Sequence, residues 1–309
     1  MRATVVVAGA TSFYMSFGVD DFPVRYAPSC SPRWLSSGVS GTAAHIARVL
    51  HTLGDDVRLC TVVGADSPGA VIRHELRRER LLGPGVIGAD RSSLGVVLVA
   101  PDGRRMGFPH LSPVNDVVYP FDVLASEARD ADLVILTNAK FVRPLVSRAA
   151  QLALPIAVDL HRISDLDDPY SRPWLDTARV IFCSHERLPV PPREWIARLF
   201  DRAPYCVVAG VGMGAQGAIV GTRQGHLVRA EAVAPGGVVN TTGGGDALFA
   251  TFLHGWLTSG DVKAALQTAV AHAGWKLGHH SPAARSLTPG ELRDVTALHP
   301  PSIELDHWG

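Results

Sequence analysis

Cysteine is scarce in this chain and scattered. Cys30, Cys60, Cys183 and Cys206 form no CxxC pair among 309 residues. Neither a disulfide framework nor a zinc site is expected, and a reducing cytoplasm is the expected compartment. Net charge is missing too: 29 basic side chains balance 29 acidic ones. Nothing in that balance suggests a broad polyanion-binding surface, so nucleic acid is not an expected partner. No apolar run approaches the roughly 20 residues of a membrane span, so no membrane partner is expected either. The first apolar run, residues 5–8, is too short for a signal sequence and suits a buried strand. Apolar residues are plentiful, at 47%. The length fits one large α/β domain over residues 1–309 with a small appendage.

Short apolar runs at residues 5–8, 57–62, 133–136, 156–158, 180–182 and 206–209 read as buried parallel strands. Helical spacing covers residues 42–53, closed by Gly54, and also 67–79, 143–152, 193–200, 245–258 and 262–277. Alternation of the two predicts a parallel sheet covered on both faces. Two stretches break it: residues 12–37, with Pro23, Pro28 and Pro32, and residues 94–108, which read as a hairpin around Asp102-Gly103. They are expected to form a small β appendage over one edge of the sheet. The tail after Leu298 is expected to be loosely held.

The densest chemical signal is Asn240-Thr-Thr-Gly-Gly-Gly-Asp246-Ala-Leu-Phe-Ala250. Three glycines open a helix, where first-turn N–H groups lack partners and the dipole favours an anion. A phosphate is the natural guest. Asp246 follows in the first turn, and a carboxylate beside a phosphate cradle is awkward unless it takes a proton from an attacking hydroxyl. The plainer reading is an acidic residue that stabilises its own helix. A side chain at Gly244 is expected to fill the phosphoryl space. Gly212-Met-Gly214-Ala-Gln-Gly217 has the spacing of a dinucleotide fingerprint, but Ala218-Ile-Val-Gly221 reads as a strand, whereas that fingerprint needs a helix. His279-His280 has no carboxylate or cysteine at ligand spacing and reads as a surface turn. Asp165, Asp167 and Asp168 read as a solvated loop.

The stretch Thr241–Ala250 resembles the C-terminal signature of the ribokinase-like, or phosphofructokinase-B type, carbohydrate kinases. Gly38-Val-Ser-Gly41 with Ala44-His-Ile-Ala47 and Leu53-Gly54 resembles the family's N-terminal glycine pair and helix. Val62-Val-Gly64-Ala-Asp66-Ser-Pro-Gly69 and Pro101-Asp-Gly-Arg-Arg105 resemble two further segments, the second being the lid hairpin. The resemblance spans about residues 4–290. It implies a three-layer α/β/α sandwich with a mainly parallel sheet and a β lid made by residues 12–37 and 94–108. It implies transfer of the γ-phosphoryl group of ATP to a hydroxyl of a sugar or sugar-like molecule. Gly243, Gly244 and Gly245 would form the anion hole and Asp246 would be the base. Ser184, Gly212, Gly214, Gly217 and Thr242 would lie on the ATP side. Tyr14, Gly38, Gly41, His45, Arg105 and Asn138 would surround the acceptor. Mg²⁺ is implied by phosphoryl transfer, with its ligands left open.

Several positions depart from the family pattern. Tyr14 stands where members often carry a sugar-gripping aspartate, unless Asp20 or Asp21 supplies that carboxylate. His45 replaces an asparagine, Ser184 replaces the asparagine of an Asn-x-x-Glu segment whose glutamate aligns with Arg187, and Asn240 replaces an aspartate. Two alternatives follow: a nucleoside kinase that stacks a base on Tyr14 or Phe13, and a non-catalytic ligand-binding relative. The expected partners are ATP and the acceptor, with a homodimer through the lid as a further candidate.

Overall fold

The computed structural model describes residues 2–281 and 283–308. The strands among them are β1 (Thr4–Ala8), β2 (Ser12–Gly18), β3 (Leu35–Ser40), β4 (Asp56–Gly64), β5 (Val86–Ala89), β6 (Ser93–Val99), β7 (Arg105–His110), β8 (Leu133–Leu136), β9 (Ile156–Asp159), β10 (Val180–Ser184), β11 (Val208–Gly212), β12 (Ala218–Thr222), β13 (His226–Ala230) and β14 (Ile303–His307). The helices are α1 (Thr42–Leu53), α2 (Ser67–Arg78), α3 (Ser112–Asn115), α4 (Phe121–Glu127), α5 (Arg143–Ala149), α6 (Arg172–Leu175), α7 (Pro192–Arg202), α8 (Gly244–Ser259), α9 (Val262–Lys276) and α10 (Pro289–Leu298).

Alternation along β1 shows how the layers arise. Val5 and Val7 face one core and Val6 and Ala8 the other, so the strand is covered on both faces. The first core takes Leu50 of α1, Ile72 of α2, Phe252 of α8 and Leu266 of α9; the second takes Leu124 of α4, Leu145 of α5, Trp174 of α6 and Trp195 of α7. The large sheet runs β14-β13-β12-β11-β10-β9-β8-β1-β4-β5. Pairing is parallel from β11 to β5 and antiparallel from β11 to β14. The carboxyl ends of β1, β8, β9, β10 and β11 therefore share one edge, where ligands of open α/β sheets bind.

The two stretches that break the alternation form a second sheet, ordered β3-β2-β6-β7. It extends slightly beyond the expected boundaries, to Ser40 and from Ser93 to His110. The β6–β7 turn is closed by Gly103 N–H to Ala100 O at 3.0 Å, with Gly103 at φ 83°. A Cβ at Gly103 would lie 2.9 Å from Val238 Cγ1, so this tip rests on the segment that leads into the three glycines.

The tail after Leu298 is not loosely held. β14 pairs antiparallel with β13, Ile303 opposite Ala230. Trp308 stacks on Phe200 with centroids 4.9 Å apart, and its indole N–H donates to Thr222 O at 2.7 Å. Four of the five β14 residues are exposed, so ladder bonds and one tryptophan hold the strand, and an apolar-pattern search passes over it. Helix α10, also unanticipated, announces itself locally: Thr288 and Glu291 make a reciprocal capping box.

Candidate active site

Helix α8 is anchored before it does any chemistry. The rings of Phe249 and Phe252 pack 5.3 and 5.0 Å from that of Phe182 on β10, contacts that add about 0.5–1.5 kcal/mol each beyond area burial. The helix opens at the central-sheet edge where β10 and β11 end. Gly243 caps it in the left-handed conformation, φ 82°, a position that favours glycine. Gly244 is buried, and a Cβ there would meet Leu277 Cδ2 at 2.7 Å. Gly245 is exposed with open space where its Cβ would be. A side chain at Gly244 would have to displace the tip of Leu277, whereas one at Gly245 would enter open space. Thr242 Oγ1 is buried without a hydrogen-bond partner, while its N–H is held by Asn240 Oδ1 at 3.0 Å. Asn240 is itself braced, donating from Nδ2 to His280 O at 2.9 Å. Gly244 N–H donates to Thr241 O at 3.4 Å, but the N–H groups of Gly245 and Asp246 have no backbone partner among the described residues; with an orphaned hydroxyl and an open glycine they fit a phosphate group.

Asp246 is half-buried in the first turn of α8. Burial pushes its carboxyl up to about 6; His161, Arg105 and Lys276 pull it down, and Asp159 pushes it up. At neutral pH it is mostly ionised and still basic. Lys276, at the end of α9, is 7% exposed and donates to Ala284 O at 2.9 Å. Burial brings its ammonium down to about 7, Arg48 adding to the fall while Asp246 and Glu79 oppose it. His45 of α1 packs against Gly243 and shares a 2.9 Å hydrogen bond between Nε2 and Ser40 Oγ. Burial, then Lys276 and Arg48, hold His45 well below its usual range, so it is neutral.

The small sheet supplies the facing side. Tyr14 of β2 lies in register between Gly38 of β3 and Gly95 of β6. A Cβ on Gly95 would fall inside the Tyr14 ring, so the ring lies across that glycine. Burial raises the Tyr14 hydroxyl, Arg105 lowers it and Asp246 raises it. Arg105 pairs opposite Val99, on the Gly95 face of β6. Its neighbour Arg104 is tied to Asp21 and Asp102 at 2.6 and 2.5 Å, whereas Arg105 makes no ion pair among the described residues. Asp21 is thus paired with Arg104, and Asp20 is exposed beside it. Gly41 caps α1 at φ 99°, its would-be Cβ 2.5 Å from Ala10 O. Asn138, just past β8, donates to Leu160 O at 2.9 Å.

On the other side, Ser184 ends β10 and Gly212 ends β11. Gly212 lies beside Leu248 of α8, 3.6 Å from where its Cβ would sit. Gly214, φ 57°, opens a tight turn, and β12 follows it antiparallel to β11, so no helix start exists for a dinucleotide. Gly217 has a packing reason: its Cβ would collide with Ala230 O. Among the described residues no three His, Cys, Asp or Glu side chains gather to hold a metal. Lys276, Asp159 and His161 were not anticipated at the site. The one available signal is that Lys276, with Lys140 and Lys263, is among only three lysines in an arginine-rich chain.

Comparison with known proteins agrees with this geometry. The family model described as pfkB family carbohydrate kinase matches residues 207–289, the part that contains the glycine cradle. An ATP-dependent ribose-1-phosphate kinase of Halopiger xanaduensis is 29% identical over 278 residues, covering 86% of this chain and 89% of the relative. A microbiome-derived acarbose kinase shares the fold at TM-score 0.83 and 21% identity, covering 96% of this chain and 100% of that one. A nucleoside kinase of Burkholderia thailandensis in complex with inosine does so at TM-score 0.75 and 18% identity, covering 97% and 100%. With its glycine cradle inside the matched segment, its layered central sheet and its separate four-stranded sheet, the chain is similar to the ribokinase-like, pfkB-type carbohydrate kinases.

Proposed function

We propose that the protein transfers the γ-phosphoryl group of ATP to a hydroxyl of a sugar or sugar-like molecule, with Asp246 as the general base. The observation that carries this is an ionisable, half-buried carboxyl one residue after an open glycine cradle. Asp246 takes the proton of the attacking hydroxyl. The N–H groups at the Gly243–Gly245 cradle, with Gly245 N–H free and Gly244 N–H released from its long bond to Thr241 O, receive the charge of the phosphoryl group. Thr242, Ser184, Gly212 and Gly214 line the ATP side, and Arg105 faces the transferred group from the lid. Mg²⁺ would arrive on the ATP phosphates and neutralise part of their charge. The test is an ADP-release screen across sugars, sugar phosphates and nucleosides; no turnover with any of them sinks the proposal. The whole chain is read as one kinase unit, and its scattered thiols, three of the four buried, suit a reducing cytoplasm. No helix among the described residues is long and apolar enough to cross a membrane.

The acceptor meets a flat aromatic face where a carboxylate would grip hydroxyls. That favours a partly apolar or flat acceptor, a nucleoside among them, since base stacking contributes on the order of 1–3 kcal/mol. Tyr14→Ala is expected to raise the acceptor KM at least about tenfold, with Asp21→Ala within about twofold of wild type. The reverse pattern in steady-state kinetics would restore the carboxylate grip.

The lid hairpin should exchange amide hydrogens faster without acceptor than with it, as a water-excluding cover does. Equal exchange over residues 94–108 in both states would remove that role. The outer lid face carries Met15, Leu94, Met106 and Phe108, all exposed, and Phe13 and Phe17 beside them. A second copy of the chain is the proposed occupant. Light scattering should show a dimer that Met15→Glu converts to monomer; a monomeric wild type at micromolar concentration excludes it.

A further inference from the structure

We propose that His161, oriented by Asp159, is a specificity-determining residue of the acceptor pocket, its imidazole taking an acceptor hydroxyl beside Asp246; this rests on the kinase reading. His161 follows β9 in the left-handed conformation, φ 56°, sparsely populated by residues other than glycine. The surroundings hold it there. Its N–H donates to Asp159 Oδ1 at 2.8 Å, and its carbonyl accepts from Ser184 N–H at 2.6 Å. The preceding Leu160 is fixed as well, its N–H on Phe182 O at 2.8 Å and its carbonyl on Asn138 Nδ2 at 2.9 Å. One residue thus joins the nucleotide side, through Ser184, to the acceptor side.

The ring, by contrast, is oriented but not satisfied. Nε2 lies 3.4 Å from Thr42 Oγ1, the first residue of α1, and Nδ1 lies 3.7 Å from Asp159 Oδ2. Both exceed ordinary hydrogen-bond lengths, and the side chain keeps 37% of its exposure. His272 shows what a purely structural histidine looks like in this molecule: fully buried, with Thr251 Oγ1 at 2.7 Å on Nδ1 and Ser286 Oγ at 3.0 Å on Nε2. His161 has open valence where His272 has none. The ring lies against Thr42, which follows the Gly41 cap of α1, and the carbonyl lies against Ser184, so His161 sits between the two sides of the site. The Nδ1 edge faces Asp159, so Nε2, which has no short partner, is the ring atom free to meet a hydroxyl adjacent to the one being phosphorylated.

The test is steady-state kinetics with the best acceptor from the ADP-release screen. His161→Asn is the informative variant, because asparagine tolerates left-handed backbone and cannot be charged. The expected result is an acceptor KM raised at least about tenfold, a smaller fall in kcat and an ATP KM within about twofold. Deoxy analogues of the acceptor sharpen it: the analogue lacking the contacted hydroxyl should be penalised by wild type and not by His161→Asn. An unchanged acceptor KM overturns the proposal while leaving the kinase reading intact. Equal rises in both KM values also overturn it, because they mark a structural role. If wild type turns over no acceptor, the kinase reading falls and takes this proposal with it.

Discussion

Asp246→Asn should fold, bind ATP and lose at least about two orders of magnitude in kcat, the usual scale for a general base. Asparagine keeps the shape of the side chain and removes its basicity, so ATP affinity should stay within a few-fold. Wild-type kcat should rise as pH passes through about 6, where the carboxyl ionises, and the residual rate of the variant should lack that limb. Stability should move the opposite way. The folded carboxyl is raised above its ordinary 3.8, so the native state holds its proton longer than the unfolded chain. Wild type therefore loses stability as pH climbs from about 4 to about 6. Raising a carboxyl from 3.8 to about 6 corresponds to at most about 3 kcal/mol, and to on the order of half that for a group in partial contact with water. The variant should melt above wild type at pH 7 and match it near pH 4. Near-full turnover in the variant would show that Asp246 is not the base.

The second large effect is at the cradle. Gly245→Val should reduce kcat/KM at least about a hundredfold, the scale of losing an oxyanion donor, while costing roughly 1 kcal/mol of stability or less. The new side chain enters open space in an exposed first turn, where β-branching is a mild penalty, but under the proposed function that space is where the phosphoryl oxygens meet the N–H groups. Gly244→Val makes the contrast, since its side chain must displace Leu277 and should lower Tm as well as activity. Wild-type kinetics in a well-folded Gly245→Val would remove the anion-hole assignment.

Most of the central sheet could be read from the chain because its strands are short, apolar and doubly covered; the residues of β1 and β8 are nearly all buried. The helices over residues 42–53 and 262–276 were visible because glycine, aspartate and apolar spacing mark their ends. The edge strand β14 was hidden because backbone pairing, not side-chain burial, holds it. At the site, Asp246 and the glycines were legible since their chemistry is contiguous in sequence. Lys276, Asp159 and His161 were not, because they stand on two elements far from α8 in sequence, and only the closed sheet brings α9 and the end of β9 to the start of α8. Tyr14 was legible as an oddity, but its orientation depended on Gly38 and Gly95, which strand register alone places beside it.

Strand β14 also bears on solubility. It ends a ten-stranded sheet, and its exposed Glu304 and Asp306 present charge where an unpaired ladder would otherwise invite another chain. Without it, β13 would offer bare N–H and C=O groups flanking Leu227 and Val228. A chain cut at residue 300 should therefore come off a sizing column as soluble aggregates before any loss of catalytic competence is measurable. A monodisperse truncated chain would show that the edge is protected by other means.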